Sequence, residues 1–175
     1  MTIDHLSFGT QDLIATRWFY EDQLGFPVLI HECLKMEEGG WVDHIFFDCG
    51  GGCALAFMQW HDVPGVQDVF DPCINRGLGV PNGTYHFALR CPNEVALAER
   101  RLELMEKGVV VGELISLDPY ESFFLEDPVN GLRMEYTTRL RLPNATDRDP
   151  SKRQFQANLA LFELVAQPNE GDQAE

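Results

Sequence analysis

Two histidines and one glutamate in this chain have the types and spacing to hold a metal ion. His5 and His86 are 81 residues apart (86 − 5), and each precedes a helix start at the same offset, since Asp12 and Asn93 are also 81 apart (93 − 12). Self-similarity of this kind marks an internal duplication. Glu135 lies in a stretch where Arg133, Glu135 and Thr137 share one strand face and Leu132, Met134 and Tyr136 share the other. A carboxylate in mid-strand, backed by large apolar side chains, needs a cation if its face is interior, because an unpaired buried charge is very costly. Two imidazoles and a carboxylate at matched places on three strands make a facial set of ligands, with positions left open for water, oxygen or a chelating substrate. Applying the offset to Glu135 returns Ala54, and a slip of two residues reaches Ala56. Neither is a ligand, so the first half supplies His5 alone. Singly, each histidine also fits a structural role and the glutamate a solvated face; it is their joint pattern that points to metal.

The elements that must position these residues follow from periodicity. Residues 3–8 alternate as a strand with Ile3, His5 and Ser7 on one face. A helix capped by Thr10 or Asp12 follows, with Leu13, Ile14, Trp18, Phe19 and Leu24 expected toward a core and Gly25 as the stop. Strands are expected over residues 27–34, 44–48 and 53–60, and this completes one β-α-β-β-β unit. A long connection, 61–83, is rich in Pro, Gly and Asp and shows no period. The pattern then returns as a strand over 84–90 with His86 inside it, a helix from Asn93 to about residue 107, and strands over 109–117, 122–126 and 132–140. Between the last two, Asp127-Pro128-Val129-Asn130-Gly131 predicts a hairpin loop, because Pro fixes φ and Asn-Gly tolerates positive φ. Residues 151–166 carry Phe155, Leu159, Phe162 and Val165 at helical spacing, which predicts a helix that either closes the core or reaches a second subunit of a homodimer. The last eight residues read as a disordered tail.

Composition narrows the functional classes. A net charge of −15 argues against nucleic-acid backbones and anionic membrane surfaces as partners. No apolar run is long enough to span a bilayer, and no signal peptide is evident. The five cysteines are odd in number and lack CxxC spacing, which suits reduced thiols in a cytoplasmic protein.

The segments DHLSFGTQDL with WFYEDQLGF, YHFALRC, and FFLEDPVNGLRMEY, in that order, resemble the vicinal oxygen chelate superfamily, which includes glyoxalase I, extradiol ring-cleaving dioxygenases, methylmalonyl-CoA epimerase and the fosfomycin- and bleomycin-resistance proteins. The last segment is similar to the hairpin F-x-D-P-x-G-x-x-x-E of that family, with one extra loop residue. The resemblance covers residues 1–140 and implies an α+β fold: two βαβββ modules, about 1–62 and 84–140, forming a half-open barrel around a divalent metal. Residues 141–175 would add the C-terminal helix and polar tail.

The family's metal ligands carry over to His5, His86 and Glu135, and the fourth ligand of glyoxalase I and the epimerase is missing near Ala54 and Ala56. The His-His-Glu set resembles extradiol dioxygenases with Fe(II), though Mn, Zn or Ni would also fit. Phe124 stands where those enzymes carry a catalytic Tyr, and their acid–base His would fall near Cys53. His31, His44, His61 and Tyr120 are substitutes that the sequence does not place, and each also fits a packing or surface role. Arg90 and Arg133 share faces with ligands, suited either to an anionic substrate or to an internal ion pair. The reading that results is a metalloenzyme acting on a small substrate with adjacent oxygens, of dioxygenase type. A glyoxalase-like lyase or isomerase and a non-catalytic drug-binding protein remain as alternatives.

Overall fold

A computed structural model of the chain describes residues 2–67 and 69–149. Strand β1 (His5–Gly9) leads into helix α1 (Leu13–Arg17), which continues as a π-helical turn (Trp18–Gln23). Three antiparallel strands follow, β2 (Val28–Lys35), β3 (Trp41–Asp48) and β4 (Ala54–His61). After the short helix α2 (Ile74–Leu78) comes the second unit, β5 (His86–Arg90), α3 (Glu94–Glu106), β6 (Ile115–Leu117), β7 (Tyr120–Glu126) and β8 (Arg133–Arg139). Each unit forms one four-stranded mixed sheet, in orders β1-β4-β3-β2 and β5-β8-β7-β6, and the two are not closed into a barrel. The first strand of each unit pairs in parallel with the fourth, His5 opposite Ala54 and His86 opposite Arg133. This is the α+β architecture expected, with the order of elements as read.

One core serves both units. Leu13, Phe19, Tyr20 and Leu24 from the first helical segment meet Leu97 and Leu104 of α3 and Phe123, Leu125, Met134 and Tyr136 of the second sheet. Across the seam between the sheets, the rings of Phe8 and Phe87 lie 5.6 Å apart. Both helix starts are capped by side chains, the first by Asp12 rather than Thr10. Asp12 accepts from the Ala15 N–H and Asn93 from the Ala96 N–H, each satisfying a donor that the first helical turn leaves free.

Three expectations are corrected. Ile14 and Trp18 do not face the core; they are 85% and 51% exposed. Both stand on an ordinary α-helical stretch, where the Trp18 N–H bonds the Ile14 carbonyl and Leu13, Thr16 and Tyr20 take the inward face. The Leu24 N–H bonds the Phe19 carbonyl five residues back, which widens the turn and brings the consecutive residues Phe19 and Tyr20 inward. The strand expected over 109–117 is reduced to β6 and an isolated bridge between Val111 and Leu125. At Gly112 the backbone lies close against β7: its N–H donates to the Phe124 carbonyl at 2.8 Å, and a Cβ would stand 3.2 Å from that oxygen. The connection after β4 is not featureless, since it contains α2. The C-terminal helix expected over 151–166 lies outside the described residues.

The hairpin loop joins the two units. Asp127, fully buried, accepts the Val129 and Asn130 backbone N–H groups at 2.8 and 3.1 Å and the Asn130 side-chain amide at 2.7 Å. It also accepts the Tyr20 hydroxyl at 3.0 Å, and Asn130 reaches Thr16 at 3.1 Å, so the loop of the second unit grips the helix of the first. Gly131 ends the loop at φ +66°, where a Cβ would stand 2.7 Å from that of Cys73; only glycine fits both demands.

Candidate functional site

His86 opens β5, and Glu135 lies on the neighbouring strand β8 one pairing step further on, opposite Ala88. Alternation puts both on the same sheet face, and their side chains meet, Nε2 to Oε2, at 3.2 Å. His86 Nδ1 lies 2.8 Å from the Gly83 carbonyl oxygen. A carbonyl only accepts, so Nδ1 carries the hydrogen and donates it, and Nε2 is the nitrogen turned to the carboxylate. Ser122, across on β7, donates to Glu135 Oε1 at 2.6 Å and is itself 2.8 Å from the Thr137 hydroxyl. The Glu135 side chain is 13% exposed and that of His86 34%.

The charges follow from these contacts. The bond to Glu135 raises the His86 pKa above the usual imidazole value; burial opposes this, and the Gly83 carbonyl reinforces it. Burial pushes Glu135 upward, but bonds from His86 and Ser122, the His86 charge and Thr137 together outweigh it, leaving the carboxyl below its ordinary value. An imidazole nitrogen and a carboxylate oxygen facing one another require a proton or another cation between them. A ligating histidine is usually anchored through its other nitrogen, as His86 is by the Gly83 carbonyl, but the His86–Glu135 pair alone supplies two donors and does not complete a metal site.

His5 stands apart from this pair. It lies on β1 with its side chain 43% exposed and its Nδ1 2.8 Å from Asp4 Oδ1. Among the described residues no three His, Cys, Asp or Glu side chains are gathered closely enough to hold a metal ion. The structure therefore brings two of the three predicted ligands together and leaves the third on the adjoining edge strand.

The duplication extends to the surroundings. Phe46 pairs with Ala56 as Phe124 pairs with Glu135, so Ala56, rather than Ala54, is the first-half counterpart of Glu135. Phe46 meets the His5 ring edge-on at 5.4 Å, and Phe124 meets His86 the same way at 6.3 Å. The Arg133 guanidinium lies over Phe124, 5.1 Å from the ring centre. A cavity of about 270 Å³ opens beside His86, with Leu6, Phe8, Thr84 and Arg133 in its wall. A larger groove of about 580 Å³ lies on the helix side of the first sheet, near Trp18, Asp43 and His61, away from the His86–Glu135 pair. The Gly83 carbonyl and Ser122 were not found from sequence. Ser122 was legible in principle, since the hairpin register that pairs Phe124 with Glu135 sets it diagonally beside that carboxylate.

With the geometry in place, the kind of protein can be stated. The chain belongs to the glyoxalase/bleomycin resistance protein/dioxygenase superfamily, whose model matches residues 2–136. Among solved structures, a glyoxalase family protein from Enterococcus faecalis is 23% identical, with a TM-score of 0.54 over 78% of this chain and 96% of its own. TnmS3, an antibiotic binding protein from Streptomyces sp. CB03234, is 16% identical at TM-score 0.54, covering 79% of this chain and 96% of its own. Lactoylglutathione lyase from Agrobacterium tumefaciens is 17% identical at TM-score 0.51, covering 78% and 92%. These likenesses show the fold. No curated protein sequence matches the chain at a significant level.

Proposed function

We propose that the protein is a metal-dependent enzyme with His5, His86 and Glu135 as ligands, acting on a small substrate with adjacent oxygens by ring cleavage of the extradiol type. The observation that carries the reading is the His86–Glu135 pair, in which an imidazole anchored at Nδ1 turns Nε2 to a carboxylate at 3.2 Å. A bound divalent ion, Fe(II) in preference to Mn, Zn or Ni, would supply the Lewis acidity that draws two adjacent substrate oxygens together. The chain's own residues do the rest. Ser122 keeps Glu135 oriented and ionised, and His5 adds its imidazole from β1. Phe124 offers an apolar ring to the substrate, and Arg133 beside it a positive charge for an anionic substituent. The five free thiols suit a reducing cytoplasm, and a homodimer belongs to the same reading.

A second reading, sequestration of a small molecule without catalysis, is favoured by the separation of His5 from the other two ligands. Metal content separates the two. Protein purified anaerobically is expected to carry about one ion per chain, and His5→Ala, His86→Ala and Glu135→Ala are each expected to abolish this without unfolding the chain. Oxygen uptake with a panel of catechols then tests the reaction, and metal-dependent turnover without oxygen uptake would move the assignment to a lyase or isomerase. Wild-type protein that stays metal-free after reconstitution with Fe(II), Mn(II), Zn(II) and Ni(II) would overturn the enzyme reading.

A further inference from the structure

The groove of about 580 Å³ on the helix side of the first sheet has no part in the ligand set. It exists because the helix is fixed over one strand only. The Leu13 N–H donates to Gln59 Oε1 on β4 at 2.8 Å, and Gln59 Nε2 donates to the Gln11 carbonyl at 3.0 Å. With its start pinned there, the helical segment turns Ile14 and Trp18 over a groove that Asp43 of β3 and His31 of β2 also line. Alternation places Asp43 and Ile45 on this face, and His44 and Phe46 on the other, which Ala56 and His5 share. The groove and His5 thus lie on opposite sides of the sheet.

Asp43 sets the chemistry of the groove. Its side chain is only 20% exposed. Among the described residues it takes one hydrogen bond, from the Cys33 thiol to Oδ1 at 2.9 Å, and a thiol is a weak donor. His31 Nε2 and His61 Nε2 stand 3.7 and 3.6 Å from its two oxygens, too far to hydrogen bond. His61 is stacked on Trp41 instead, with ring centres 3.8 Å apart, and its Nε2 has no hydrogen-bond partner. Arg17, the guanidinium in the wall, is already held by Glu21 at 2.6 Å. A recessed carboxylate so thinly supplied with donors calls for a cation.

The surroundings say what kind. Asp22, exposed at the edge of the groove, adds a second negative charge, and the whole chain carries −15. The remaining wall is apolar: Leu13 and Ile45, with Ile14 and Trp18 exposed at 85% and 51%. Large apolar groups left in water around a few polar ones are the usual make-up of a small-molecule site. A bare metal ion does not suit it, since no three ligating side chains are gathered among the described residues.

We propose that this groove binds a small organic cation, an ammonium group carried on an aromatic or branched hydrocarbon body. The nitrogen donates to the Asp43 carboxylate, and the body lies against Ile14 and Trp18, whose indole also attracts the charge. The site is separate from the metal-chelate reading and does not rest on it.

The test uses the full chain without added metal and 2-phenylethylammonium as the probe. 2-Phenylethanol and phenylacetate serve as neutral and anionic matches of similar shape. In ¹H–¹⁵N spectra the cation is expected to move the Trp18 indole N–H, assigned by its loss in Trp18→Phe, and to saturate at millimolar probe. The backbone signals of Asp43 and His61 should move with it, and the two matches should leave all three in place. Asp43→Asn should weaken binding by about tenfold or more, the loss of one bond to a charged group. Trp18→Ala should weaken it too, and should Asp43→Asn fail to fold, that variant and the charge series on the wild type decide. Binding of the alcohol as tight as that of the cation, or no saturable binding of the cation, overturns the proposal. A Trp18 signal that moves with protein concentration before any probe is added also overturns it, and gives the groove to a second copy of the chain.

Discussion

Replacing Tyr20 by Phe tests the joint between the two units. The ring is fully buried and packs 4.6 Å from Phe57 and 5.5 Å from Phe47, contacts that Phe keeps. The change removes only the hydroxyl that donates to Asp127 at 3.0 Å, leaving that carboxylate three of its four donors. A hydrogen bond to a charged group is worth about 1.5–3 kcal/mol, so a loss of about 2 kcal/mol is expected at neutral pH. This is roughly a 30-fold change in the folded-to-unfolded ratio and a fall of about 4–8 °C in Tm. Urea unfolding should show a lower midpoint with an unchanged slope. The pH dependence adds a sign. Burial pushes Asp127 above the ordinary carboxylate pKa, and its donors only partly pull it back. Stability from this group is therefore greatest when it is protonated, and falls as pH rises from the ordinary value through the raised one. Taking a donor from the anion deepens that fall, so the Tyr20→Phe penalty should be larger at neutral pH than below the carboxylate range. A penalty under about 0.5 kcal/mol at neutral pH, equal to that at low pH, would refute the joint as described.

Further outcomes are expected. Ala56→Glu should tighten metal retention against a chelator while Ala54→Glu should not, because Ala56 alone shares the register of Glu135; equal retention in the two variants would undo that equivalence. Gly131→Ala should cost about 1–3 kcal/mol for its left-handed backbone alone, and more for the 2.7 Å approach to Cys73; thermal unfolding at wild-type temperature would contradict this. Bonds from Arg141, with the Asn144 N–H, lower the Asp147 pKa to about 2. Its contribution to stability should be present above the ordinary carboxylate pKa of about 3.9 and lost as pH falls through the lowered value. An NMR titration of the Asp147 carboxyl that centres near 3.9 would show that the Arg141 contact does not hold in solution.

What the sequence disclosed, and what it did not, divides along the range of the interactions. The hairpin at Asp127 to Gly131 was legible because Pro, Asn and Gly act on their own backbone, and the caps at Asp12 and Asn93 because they act within one turn. The placing of Ile14 and Trp18 failed because their apolar character was read as burial, whereas the inward face of that segment carries Leu13, Thr16, Phe19 and Tyr20.

The sequence leaves the register open between Ala54 and Ala56 for a different reason, and it bears on the site. The 81-residue offset is a property of the first strands, but register on the fourth strand depends on every loop between. The offset falls from 81 on the first strands to 78 between Phe46 and Phe124 (124 − 46), and the extra residue of the Asp127–Gly131 hairpin raises it to 79 between Ala56 and Glu135 (135 − 56). Hydrogen bonding across the sheets absorbs that residue in the turn and keeps each aromatic opposite its partner. Only with that alignment do Ala56 and His44 become the counterparts of Glu135 and Ser122. On that face of the first half Glu32 of β2 meets His44 of β3.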